Sequence, residues 1–188
     1  MMKKYILSSL ALLLVFSISS CTDTAKFEIQ KGKVGHLTTK SSIHELSKIF
    51  QKDSIVSNLS EGSLGNNYFQ DDDEYLIYDK AGKHLLTIIP KEQLDSTSTI
   101  KSIQIFDERF KTATGLNLRT NFVDIRANNN INKIESSFSS ATLFIDDLNV
   151  TIAIDKEELG LKAFSNQKVT LEQIPDLAKM KSFIVWFN

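Results

Sequence analysis

Cysteine occurs once in the 188 residues, at Cys21, which leaves a single thiol with no partner in the chain. Proline occurs twice and glycine seven times, too few for a linker or a low-complexity protein. The three histidines, His36, His44 and His84, have no second His or Cys at the spacing of a zinc site. A nucleophile elbow is missing as well: Gly62-Ser-Leu-Gly65 lacks the Gly-x-Ser-x-Gly spacing and reads as a hairpin loop. No basic stripe suggests nucleic acid. Long apolar runs are confined to Tyr5–Ile18, whose 14 residues fall short of the roughly 20 that cross a hydrocarbon core.

What is present begins at that run. Lys3 and Lys4 precede it, and Ile18-Ser19-Ser20-Cys21 places small residues directly before the cysteine, the layout of a cleavable secretory leader over residues 1–20. The stretch resembles the lipobox of bacterial lipoproteins. That resemblance implies a Cys21 that is diacylated on sulfur, freed by cleavage before it and acylated again on its new amino group. Several acyl chains anchor a protein stably where one does not. In enteric bacteria an Asp directly after the cysteine resembles an inner-membrane retention signal; here Thr22 follows and Asp23 comes only after it, which favours the outer membrane, facing the periplasm. Without residues 1–20 the chain keeps 20 basic and 23 acidic side chains, a formal charge of −3. Residues 21–32 are read as a lipidated tether, with Thr22–Lys26 as its polar start.

The body shows an internal repeat, residues 33–110 against 111–188. Leu37-Thr-Thr-Lys-Ser-Ser-Ile-His-Glu-Leu46 aligns with Leu116-Asn-Leu-Arg-Thr-Asn-Phe-Val-Asp-Ile125, setting Lys40 against Arg119 and Ser42 against Asn121. Ile55 and Ser57 fall on Ile134 and Ser136. Thr87–Leu94 meets Ile152–Leu159, and Lys101–Phe106 meets Lys181–Trp186, in the same order.

Each unit reads as a short helix followed by a meander. Ser42 and Glu45 have capping-box spacing, and Ile43, Leu46, Ile49 and Phe50 form a helical stripe, predicting a helix over about Ile43–Gln51. Its counterpart starts at Asn121 with Asp124 in the first turn, and Asn128, Asn129 and Asn130 predict a shorter helix. Extended runs follow at Ser54–Leu59, Glu74–Tyr78, His84–Ile89 and Thr99–Phe106, then at Asn132–Phe138, Ala141–Ile145, Val150–Ile154 and Lys181–Phe187. Asp79–Lys83 and Asp146–Asn149 read as turns, and residues 157–180 as one or two extra short helices around Pro175. Helices segregated to one face of antiparallel sheets predict an α+β fold of two tandem copies. The layout resembles small tandem-repeat envelope domains such as the β-lactamase inhibitor protein fold and, more loosely, uncharacterised small α+β envelope lipoproteins.

Candidate chemistry is sparse. Asp71-Asp-Asp-Glu74 lacks the alternating spacing and central glycine of a calcium loop and reads as an acidic guard before a strand. Thr38–Ser42 sets hydroxyls and Lys40 at a helix start, so Lys40 with Ser42 and Arg119 with Asn121 are candidate contacts for an anion or a partner, although capping accounts for the same hydroxyls. No catalytic residue, metal or cofactor is assigned. Two classes of function remain: a non-catalytic lipoprotein that binds or scaffolds another envelope protein, or a periplasmic small-molecule or anion binder using a crevice between the copies. An exposed apolar patch near Tyr68, Phe69, Tyr75 or Trp186 favours the first.

Overall fold

A computed structural model describes residues 23–60, 72–162 and 164–187. Its chief element is an eight-stranded antiparallel sheet made of two meanders. The first runs β4 (Ser54–Asn58), β5 (Glu74–Tyr78), β6 (His84–Pro90) and β7 (Ile100–Ile105); the second runs β9 (Lys133–Ser136), β10 (Ser140–Ile145), β11 (Val150–Asp155) and β12 (Ser182–Trp186). The spatial order is β4-β5-β6-β7-β12-β11-β10-β9, so the last strands of the two meanders meet in the middle, Val185 opposite Ile103.

Alternation explains why these runs are strands. In β10 and β12 every second side chain is buried, Ala141, Leu143 and Ile145 on one strand and Phe183 and Val185 on the next, which is the period of a sheet with one covered face. In the middle of β6, Leu85 to Ile88 are buried on both faces. The Asp79–Lys83 turn is held by the Asp79 carboxylate, whose Oδ1 accepts the amides of Ala81 (2.9 Å) and Lys83 (3.0 Å).

A second sheet has the order β3-β2-β1-β8, from β1 (Glu28–Gln30), β2 (Lys33–Val34), β3 (Leu37–Thr38) and β8 (Lys111–Thr112), with β1 and β8 parallel. Helix is scarce. It comprises α1 (Asp23–Lys26), a 3-10 turn Ile43–Glu45 running into α2 (Leu46–Ile49), α3 (Phe122–Asn128), and 3-10 turns at Lys156–Leu159 and Leu171–Gln173. One core joins these parts: Ile29, Val34 and Leu37 of the small sheet, Leu46 and Ile125 of the helices, and Ile103, Leu143, Ile152 and Val185 of the large sheet.

Several expectations are corrected. The fold is mostly β, two sheets of four and eight strands, and not an α+β structure with repeated helices. The apolar stripe at Ile43–Phe50 is real, but it seals a sheet with one 3-10 turn and four α-helical residues, and residues 157–180 contain no α-helix. Within residues 21–32, read as a tether, Ile29 lies buried in β1. The helix expected to be cut short by asparagines is α3, the longest described. Asn128 and Asn129 donate their side-chain amides to the carbonyls of Asp124 and Ile125 (both 3.0 Å) and so close the final turn instead of breaking it.

The two helix starts are tied in the same way to the segments that lead into β7 and β12. Ser42 bridges Thr99 and Asn121 bridges Lys179, while the Ile43 and His44 amides donate to Ser98 and Ser96 and the Phe122 and Val123 amides to Ala178 and Asp176.

Candidate functional site

The residues singled out at the helix starts do not converge. Lys40 is exposed, and its amide donates to Thr38 Oγ1 (3.3 Å). Ser42 is buried and occupied: its amide and hydroxyl both donate to Glu45 Oε2 (2.9 and 3.0 Å), and its oxygen lies 3.0 Å from His44 Nδ1. The Ser42 amide, then its hydroxyl, holds Glu45 below the usual carboxylate range. Arg119 is 79% exposed and paired with Glu108. Asn121 caps α3 with its backbone and makes no side-chain cap bond. A polar hollow of about 270 Å³ takes in Arg119, Thr120 and Asp124, with neither Lys40 nor Ser42 on its wall.

The acidic cluster is split by burial. Asp73 is fully buried and accepts the amides of Ser60 (2.8 Å) and Leu94 (2.6 Å) and the Ser60 hydroxyl (2.9 Å). Burial alone raises its affinity for a proton, but these three donors outweigh it and keep the carboxyl ionised to lower pH than usual. Asp72 faces Lys101 at 3.6 Å on the surface. Among the described residues no group of His, Cys, Asp and Glu is arranged to hold a metal ion.

His84 is stacked between Tyr78 and Phe106, with ring centroids 4.8 and 4.0 Å away, and burial lowers its basicity. Tyr75 and Trp186 are only half-exposed, and the Trp186 indole N–H donates to Thr151 Oγ1 (3.0 Å). Among the described residues the exposed aromatic rings are instead Phe106 (40%), Phe138 (65%) and Phe164 (82%). Cys21, the leader, Gly62–Gly65, Tyr68, Phe69 and Asp71 lie outside the described residues.

Among the described residues a larger hollow, of about 450 Å³, opens beside Lys26 at the end of α1. Phe50, Phe110, Val34 and Leu86 form its apolar floor, and Lys26, Lys48, Lys52 and His36 stand on its wall with Asp53. Lys26 reaches Asp53 with both carboxylate oxygens in range, 3.0 and 3.2 Å. Gly35 makes the close approach possible: at φ +57° it donates its amide to Glu28 (2.8 Å), and a Cβ placed there would lie 2.4 Å from the Lys26 carbonyl oxygen.

Beneath the entry point sits a charged clamp. Asp107, fully buried, accepts Arg109 Nε (3.0 Å), Arg109 Nη2 (2.7 Å), the Arg109 amide (2.8 Å) and Lys83 Nζ (2.9 Å). Burial opposes the charged carboxylate, but Arg109 and Lys83 together overcome it and hold Asp107 well below the usual carboxylate range. The same guanidinium lies over the Phe27 ring, 4.5 Å from its centre, and Phe27 meets Phe110 edge-on at 5.0 Å.

Sequence reading missed this groove because its wall comes from separate segments: Lys26, the β2–β3 turn, the end of α2, and Phe110. The one signal was local, two lysines, Lys48 and Lys52, close together at the end of α2 and in the turn that follows it. Neither the hollow at Arg119 nor the groove at Lys26 is lined from both 33–110 and 111–188, where a crevice between copies was expected.

The sequence matches no protein-family model and no curated protein. The structure is similar to a crystal structure of the uncharacterized protein yfeY from Escherichia coli, with a TM-score of 0.50 and 14% sequence identity over 86% of this chain and 99% of that one, a likeness of fold alone.

Proposed function

We propose that this is a lipoprotein of the cell envelope, anchored through Cys21 in the outer membrane and facing the periplasm, which binds or scaffolds another envelope protein and performs no catalysis of its own. The observation that carries the reading is how soon after Cys21 the chain is held by the body. The first described helix, α1, begins at Asp23, two residues beyond the lipobox cysteine, and the chain is pinned from Phe27 onward by Arg109 and Phe110. A body held that close has one side committed to the membrane and the other offered to the periplasm. The like ties at the two helix starts further support a duplicated origin for the halves.

Partner binding is supported by the unequal ends of the large sheet. At one end β9 carries the paired charges Lys133 and Glu135, a common guard against edge pairing. At the other end β4, Ser54–Asn58, carries no charge, shows Val56 to solvent, and pairs with β5 alone among the described strands. Such an edge can accept a strand from another protein.

Co-purification from detergent-solubilised envelopes tests this. The tagged native protein is expected to bring down an envelope protein that Val56→Lys loses, since a lysine there puts charge on the edge. If the native chain captures nothing above background while small-molecule screening raises its melting temperature, the second reading stands, a small-molecule or anion binder. The 450 Å³ groove favours that alternative.

A further inference from the structure

We infer that the groove at the root of α1 receives the phosphate headgroup of an anionic phospholipid belonging to the bilayer that holds the Cys21 anchor. The inference rests on the lipid-anchor reading and adds to it a second, non-covalent contact with the same membrane.

Chain length places the groove. Lys26, on its wall, is five residues beyond Cys21, and five extended residues span at most about 18 Å. With Asp23–Lys26 helical the reach is less, because a helix rises only about 1.5 Å per residue. An anchored chain therefore holds the mouth of the groove near the headgroup layer whatever the rest of the body does.

Charge and polarity match that layer. Lys26 is neutralised by Asp53, but among the described residues Lys48 and Lys52 form no ion pair and both are exposed. Glu45, which accepts from Ser42, also lies close enough to offset part of the Lys48 charge, so with Lys26 paired to Asp53 the wall keeps a net positive charge through Lys52. Exposed His36 stands on the same wall. This local excess of positive charge occurs on a chain whose formal charge after residue 20 is −3, so the body as a whole repels an anionic surface while this corner attracts it. Beneath the lysines, Phe50 and Phe110 provide the apolar floor that a glycerol backbone and the first methylenes of a lipid need and that free inorganic phosphate does not.

The test uses the chain from Thr22 onward, which contains every described element and has no lipid of its own. Sedimented with vesicles at low ionic strength, it is expected to bind those containing phosphatidylglycerol and to ignore pure phosphatidylcholine, with binding falling as salt is raised. Each lysine near an anionic surface strengthens binding roughly fivefold, so Lys48→Glu with Lys52→Glu is expected to weaken it at least tenfold. Lys91→Glu with Lys179→Glu, exposed and away from the groove, is expected to leave it unchanged. Absence of binding to the anionic vesicles overturns the inference, and so does an equal loss from the two charge reversals. Inorganic phosphate shifting the resonances of Lys48 and Lys52 without any vesicle binding overturns it in favour of a free anion. Mass spectrometry of Cys21 in the native protein separates the two readings. Vesicle binding with a bare Cys21 upholds the groove and removes the anchor; a lipidated Cys21 on a body that ignores vesicles removes the groove alone.

Discussion

Asp107 grips Arg109 with both carboxylate oxygens from a fully buried position, 3.0 Å to Nε and 2.7 Å to Nη2, while the guanidinium's face covers Phe27. The clamp joins the end of the first meander to the first residues of the fold. It ties the entry point of the chain to the large sheet.

Removing the carboxylate strands the Arg109 amide and takes the buried partner from Lys83 and from Arg109, which keeps only Asp79. Asp107→Ala is expected to cost about 3 kcal/mol in urea unfolding. Because the folded-state affinity of Asp107 for a proton is depressed, its contribution is complete above the unfolded carboxylate value of about 3.9 and is lost as pH falls below that value toward the folded one. Asp107→Asn should flatten this acid limb of a stability–pH profile. An unchanged limb would show that the clamp does not hold the fold.

Gly35 and Gly82 both have positive φ, +57° and +79°, but their surroundings differ. At Gly82 nothing lies within 4 Å of an added Cβ, so Gly82→Ala carries only the backbone cost of about 1 kcal/mol. Gly35→Ala adds a collision with the Lys26 backbone and is expected to lower stability by at least twice as much, with faster amide exchange at the Gly35–Glu28 hydrogen bond. Equal melting temperatures for the two variants would remove the close approach from the account.

Neighbouring acids of one cluster should respond in opposite ways. Asp73→Ala strands the amides of Ser60 and Leu94 and is expected to cost about 2–4 kcal/mol. Asp72→Ala, on the surface, should stay within about 0.5 kcal/mol. Chemical denaturation of the pair distinguishes a buried staple from four solvent-facing charges.

Ser42→Ala is expected to cost about 1 kcal/mol, the usual value of a helix cap, since the hydroxyl serves Glu45. Lys40→Ala should leave the melting temperature as it is. If Ser42→Ala changed anion binding and not stability, the helix start would regain its place as a candidate site.

Strands were the legible part of this chain. Ala141, Leu143 and Ile145, and Phe183 and Val185, alternate in the sequence as they do in the sheet, and Glu74–Tyr78 is a strand over the expected residues. The small sheet was illegible because Lys33–Val34, Leu37–Thr38 and Lys111–Thr112 are too short to show a period, and Glu28 finds its partner at Lys111. Helix length misled in both directions: the asparagines after Ala127 cap, and the apolar stripe at Ile43 packs as 3-10 and α turns. Asp73 looked like the other acids of its run because sequence does not show which of four acids has amides around it. The groove needed Lys26, Lys52 and Phe110 brought together by folding.

The anchor remains the central claim, and intact-mass spectrometry of the protein purified from native membranes tests it directly. The expected species begins at Cys21 and carries acyl chains on its sulfur and amino group. A protein that retains residues 1–20, or that starts at Cys21 with a free thiol, would contradict the account.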